Sequence, residues 1–176
     1  MGTNANTKTT IPNGLDARVL GRIVEEGYGE EAWHGPDLKT ALADVTPEIA
    51  FWRPAPGGHS IAEIALHHAY CAHSVRAQLS GTPPEPFVLE GDDWFALPDQ
   101  GSLSWAEIQA TVETEQQRLA AVIHDIAAGR AGSQLSETKR FDLVLGITCH
   151  AVYHAGQVQL LKRMHGEGHE KTACKV

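Results

Sequence analysis

Cysteine is scarce and unpatterned in this chain. Cys71, Cys149 and Cys174 are odd in number and show no CxxC spacing, so a disulfide framework is not indicated. Long apolar runs are missing too: none approaches the ~20 residues needed to cross a bilayer. The opening MGTNANTKTTIP is polar and lacks the basic-then-apolar order of a signal peptide. It is also a poor myristoylation signal, because position 6 is Asn rather than Ser or Thr. Basic clusters are absent apart from Lys139-Arg140 and Lys162-Arg163, and the net charge is −8 with a pI near 5.6. A protein that displaces counterions from phosphates needs a basic face, so no nucleic-acid partner is expected. These absences suit a soluble, cytoplasmic protein with no membrane partner. No stretch alternates with period two for long enough to make a strand, and there is no internal repeat.

What remains is helical. With 176 residues, 42% of them hydrophobic, the chain suits one domain with a real core. Residues 1–12 read as a disordered lead, 13–165 as a single domain and 166–176 as a flexible tail. Leu15, Val19, Leu20, Ile23 and Val24 recur at helical spacing over 14–28. A short helix is expected over about 37–44, after which Pro47, Pro54 and Pro56 predict irregular chain. Ser60-Ile-Ala-Glu63 is a capping box that opens a helix to about Leu79. Residues 81–103 hold Pro83, Pro84, Pro86 and Pro98 and predict a long crossover connection. Ser104-Trp-Ala-Glu107 is a second capping box, and its helix runs towards Gly129. The last helix is expected over about 139–164. The fold class that follows is all-α: a four-helix bundle with a long crossover connection and a short extra helix.

Against that plain composition, ten histidines stand out. Imidazole is a common ligand for transition metals and a common proton shuttle. His150 and His154 lie at i and i+4, so both rise from one helix face, about 5–6 Å apart at Cβ. Two imidazoles at that spacing can share a metal at about 2.0–2.1 Å. Their face also carries Leu143, Ile147, Gln157 and Leu161, so it points into the bundle. The alternative is two core histidines satisfied by hydrogen bonds. The motif is not HExxH, because the second position is Ala151, which excludes metalloprotease chemistry. A di-iron bundle needs two Glu-x-x-His pairs and further Glu ligands, and only Glu31-Ala-Trp-His34 has that spacing. A third ligand has to come from the helix with His67, His68 and His73. Helical spacing puts His68 at the centre of the apolar stripe and His67 at its border, and leaves His73 near the polar side, as a solvated histidine.

Three segments resemble the DinB/YfiT-like metalloenzyme family over roughly residues 15–164. They are Trp33-His-Gly-Pro36; Trp52-Arg-Pro54 with Ser60-Ile-Ala-Glu-Ile-Ala-Leu-His67; and His150-Ala-Val-Tyr-His154-Ala-Gly-Gln157 with Leu160-Leu161. The resemblance implies a four-helix bundle in which one divalent transition metal, zinc or nickel, is held by His67, His150 and His154. It selects His67 over His68 because the family's first ligand comes seven residues after the capping Ser or Thr. Where many relatives carry a bulky aromatic, this chain has Cys71, which either fills core volume or closes the site as a fourth ligand. Packing is the simpler role.

Other neighbours have two readings each. Glu63 either orients His67 or only caps its helix. Gln157 is the candidate catalytic residue, touching a bound water or substrate, and Tyr153 reads as interhelical packing. His34 either sits at the pocket mouth or steadies its turn. The functional expectation is a metal-dependent enzyme acting on a small molecule, by activating a low-molecular-weight thiol as an S-transferase does, or by activating water. The alternative is a non-catalytic, stress-related metal-binding protein with a structural site. A homodimer is expected.

Overall fold

The computed structural model describes residues 17–29 and 32–173, with side chains over 19–29 and 32–166. The expected lead 1–12 and the last residues, 174–176, lie outside the described residues. All the regular structure described is helical: α1 (Ala17–Gly27), α2 (Leu38–Ala43), α3 (Pro47–Phe51), α4 (Ile61–Ser80), α5 (Trp105–Ala127) and α6 (Glu137–Ala173). The four long helices close a ring in which α1 and α4 each pack on α5 and α6, while α2 lies on α6 and α3 on α4.

The local signals explain most of these ends. Both capping boxes are formed, Ser60 with Glu63 on α4 and Ser104 with Glu107 on α5. Gly81 ends α4 with φ 69°, a left-handed turn that glycine adopts without strain. Two expectations are corrected. Pro47 does not keep its segment irregular; it begins α3 behind the N-cap Thr46, because the first helical position needs no backbone N–H. The last helix is not over by 164: its backbone continues through the expected tail as far as Ala173.

Residues 81–103 form the crossover, and their contacts trace its path. Glu85 lies against His73, Asp93 against His67 and Leu97 against Glu63. The connection therefore runs back down α4 towards its start, and α5 sets off again alongside α4 in the same direction. Phe95, Leu97 and Leu103 are buried on the way, which anchors a stretch with no helix of its own.

The core falls into two apolar clusters. One gathers Leu66, Ala69, Ile108, Val112, Ala151 and Val158, and the other Ala72, Leu79, Leu119, Ile123, Val144 and Ile147. Between them on successive helices come His68, Gln116 and His150. At Gly27, α1 closes tightly on α6: an added Cβ would meet Ala151 Cβ at 3.0 Å and Thr148 O at 3.1 Å. This close approach is centred one helical turn or less from His150.

Glu63 joins three segments at the end of the bundle where α4 begins. Its carboxylate accepts from the Ser60 amide at 3.2 Å, the Leu97 amide at 3.0 Å and Arg53 Nη1 at 2.9 Å, and also pairs with Arg53 Nη2. Burial alone raises its pKa, but Arg53 and the two amides outweigh burial, so the group titrates below the usual carboxylate range. A depressed pKa contributes stability above the ordinary value and loses it as pH falls through the folded-state value. Glu63→Gln is therefore expected to cost about 1–3 kcal/mol at neutral pH, measured by urea unfolding. The gap from wild type should close as the medium is acidified. A gap independent of pH would contradict this account.

Candidate metal site

Helix α4 supplies His67 and α6 supplies His150 and His154, and their Nε2 atoms converge. His150 Nε2 lies 3.1 Å from His67 Nε2 and 3.0 Å from His154 Nε2. The donor atoms of the three all lie within 4.8 Å of one another. The i,i+4 step on α6 sets the second separation, while the first depends on how α4 packs against α6.

Proton placement follows from the partners on the other ring nitrogens. His67 Nδ1 is 2.7 Å from the Asp93 carbonyl, which can only accept, so it carries the proton and Nε2 is left as a bare lone pair. His154 Nδ1 is 2.6 Å from Gln157 Oε1, and the Gln157 amide nitrogen donates to Tyr153 OH at 3.2 Å. That amide orientation gives His154 the same tautomer. His150 Nδ1 lies 3.3 Å from His68 Nδ1. Burial, then the neighbouring imidazoles, pushes His150 down to about 4, and burial also lowers His154. These shifts favour the neutral form of both α6 imidazoles.

Converging imidazole nitrogens suit a cation. For bonds of about 2.0–2.1 Å, ligand nitrogens stand roughly 2.9–3.4 Å apart in octahedral or tetrahedral sites. The separations of 3.0 and 3.1 Å fall in that range. His67, His150 and His154 can hold a metal ion.

The loop residues around this cluster carry no periodic signal in the sequence. Trp94 stacks on His67 with ring centroids 3.9 Å apart and on His59 at 3.8 Å. Two rings that close to one indole cannot share a face, so the indole is sandwiched and shields His67. No helical pattern points to Asp93, Trp94 or His59; a lone Trp among turn residues is the only hint.

The other candidates are now placed. Cys71 Sγ is 3.8 Å from His67 Nε2 but is not among the donors that fall within 4.8 Å of one another. Burial, with the Asp93 charge, pushes its thiol up to about 11, and it packs beside the second apolar cluster. Glu63 is taken up by its cap, Arg53 and Leu97 rather than by His67. His34 Nε2 bonds the Glu26 carbonyl at 2.7 Å and steadies its turn. Tyr153 is not packed between helices; it is exposed, with its ring edge-on to His154. His73 is not solvated. It is buried, 3.2 Å from Glu115 Oε2 and 3.0 Å from the Glu85 carbonyl, because the returning connection and α5 both close over it. His68 does more than pack, since it meets His150.

Gln157, one turn beyond His154 as expected, places its carbonyl oxygen on the outer nitrogen of that imidazole, away from the point where the Nε2 atoms converge. Among the described residues, no helix is long and apolar enough to cross a membrane.

A family model described as the DinB superfamily matches residues 30–158. No curated protein and no solved structure matches the chain.

Proposed function

Since the chain belongs to the DinB superfamily, we propose that His67, His150 and His154 hold one divalent transition-metal ion, zinc or nickel, and that the site serves a small-molecule reaction. The observation that carries this reading is the convergence of three imidazole Nε2 atoms, from one histidine of α4 and two of α6. Structural zinc sites are four-coordinate and closed, whereas catalytic ones keep a position open. The half-buried Cys71 thiol lies outside the cluster of mutually close donors, which favours the open arrangement over the structural one.

When bound, a divalent ion there lowers the pKa of a thiol or water beside it. The chain's own residues do the rest. The Asp93 carbonyl and Gln157 hold their imidazoles in the tautomers that leave Nε2 free, and Trp94 screens His67 from water. Gln157 acts through His154. The substrate class we favour is a low-molecular-weight thiol, supported by the resemblance to the DinB/YfiT-like family, some members of which look like bacillithiol- or mycothiol-dependent S-transferases. In the transfer the thiol loses its S–H proton to solvent and its sulfur forms the new S–C bond. The electrophile's leaving group departs as an anion.

Purified protein should carry up to one equivalent of zinc or nickel per chain by elemental analysis. His154→Ala should abolish that occupancy and Cys71→Ser should keep it. Full occupancy in His154→Ala would overturn the site. Metal-loaded protein given glutathione, bacillithiol or mycothiol should show metal-dependent addition to monochlorobimane, releasing chloride. Absence of turnover with every thiol would remove the transferase reading, leaving water activation or a non-catalytic site.

A second copy of the chain is the partner we propose for the outer side of α6. Leu145, Cys149, Tyr153, Leu160 and Met164 recur there at helical spacing and are all exposed. Exposed apolar patches of this kind commonly find a partner. Light scattering should give twice the 19.0 kDa chain mass; a monomer at micromolar concentration would refute it.

A further inference from the structure

The layer between the two apolar clusters contains a chain of side chains that the triad alone does not explain. His68 is fully buried, as is most of Gln116. His68 Nδ1 stands 3.3 Å from His150 Nδ1. Its other nitrogen, Nε2, ends in the core without a partner in hydrogen-bond geometry, and so does Gln116 Oε1. Gln116 is the side chain that offers His68 a hydrogen bond, and the two unpartnered atoms are complementary, a ring nitrogen that can donate and an amide oxygen that accepts.

Hydrogen-bond polarity then runs one way along the chain. Gln116 Oε1 can only accept, so the proton facing it belongs to His68 Nε2. A neutral His68 with that proton has a lone pair on Nδ1, so the proton between the two rings belongs to His150 Nδ1. His150 Nε2 is then left as a lone pair aimed at the same point as His67 and His154. The opposite tautomer would set two lone pairs against each other at Gln116 and turn an N–H into the metal position. Metal-binding histidines commonly donate their second nitrogen to a partner that fixes the ring and raises its basicity. His67 has the Asp93 carbonyl for this and His154 has Gln157.

We infer that His68, backed by Gln116, is the positioning residue for His150, holding it in the tautomer that presents Nε2 to the metal. The inference rests on the proposed triad site. It assigns a function to the histidine that helical spacing had placed at the centre of an apolar stripe.

The test uses the full-length chain with Zn2+ and a competing chelator dye. His68→Phe, which keeps a ring and removes both nitrogens, should weaken Zn2+ binding about 10–100-fold. Gln116→Met should weaken it less. The double variant should be no worse than His68→Phe, because Gln116 acts only through His68. His68→Asn, which returns an acceptor near the Nδ1 position, should restore most of the loss. A purely structural role would not show that rescue, and it would not move the ring nitrogens of His150. Long-range 1H–15N spectra of the metal-free protein should show His150 as the Nδ1–H tautomer in wild type and as a mixture in Gln116→Met, which keeps the measurement open if His68→Phe does not fold. Wild-type Zn2+ affinity in His68→Phe, additive losses, or an unchanged His150 tautomer in Gln116→Met would overturn the inference. Because His154→Ala tests the triad separately, loss of metal there with normal binding in His68→Phe would remove this inference alone.

Discussion

Burying several imidazoles in one layer of a helical bundle is costly unless their ring nitrogens find partners, and the architecture here answers that constraint. His67, His68, His150 and His154 meet where α4 faces α6. Their outer nitrogens are met by a loop carbonyl, an amide of the next helical turn, and one another. The Nε2 atoms of His67, His150 and His154 are left facing each other, with the Cys71 thiol 3.8 Å from that of His67. A helix pair alone cannot achieve this. The carbonyl of Asp93 arrives only because the crossover is laid down along α4, and the α6 histidines lie where α1 closes in over Gly27.

The crossover is therefore part of the site as much as it is a link. It is held at three heights on α4: at His73 by Glu85, at His67 by Asp93 and Trp94, and at Glu63 by Leu97. The outer two holds rest on charge. Glu63 pairs with Arg53, while Glu115 collects His73, Arg76 and Arg118. Glu115 is almost fully buried, so Arg76 and Arg118 offset a desolvation cost that an isolated carboxylate there could not meet. Polar groups that an apolar stripe cannot accommodate are thus gathered where the connection covers them.

Most of the helical framework was legible from local chemistry. Capping boxes, glycine stops and apolar spacing act within a few residues, so α4 and α5 could be bounded closely. The HxxxH pair was legible for the same reason, because i and i+4 on a helix must share a face. Pro47 was misread because proline is disruptive inside a helix and harmless at its first position, and only the Thr46 cap tells the two apart. The continuation of α6 past Gly166 was missed because a glycine weakens a helix without having to end it.

Sequence by itself thus determined an all-α chain with two histidines on one helix face and three more within one capped helix. Helical spacing could not decide which of those three turns towards the pair, although the family resemblance singled out His67. Helical spacing ranks faces by average apolarity, and a metal cradle on the border of a stripe looks much like a polar edge. His67 faces the convergence point and His68 the back of His150 because of how α4 is rotated against α6, and that rotation is set by packing around the whole ring of helices. Trp94, Asp93 and Gln116 entered the picture only with the tertiary structure. Their contacts with the histidines span 26 to 48 residues of chain or more, a separation over which no local pattern carries information.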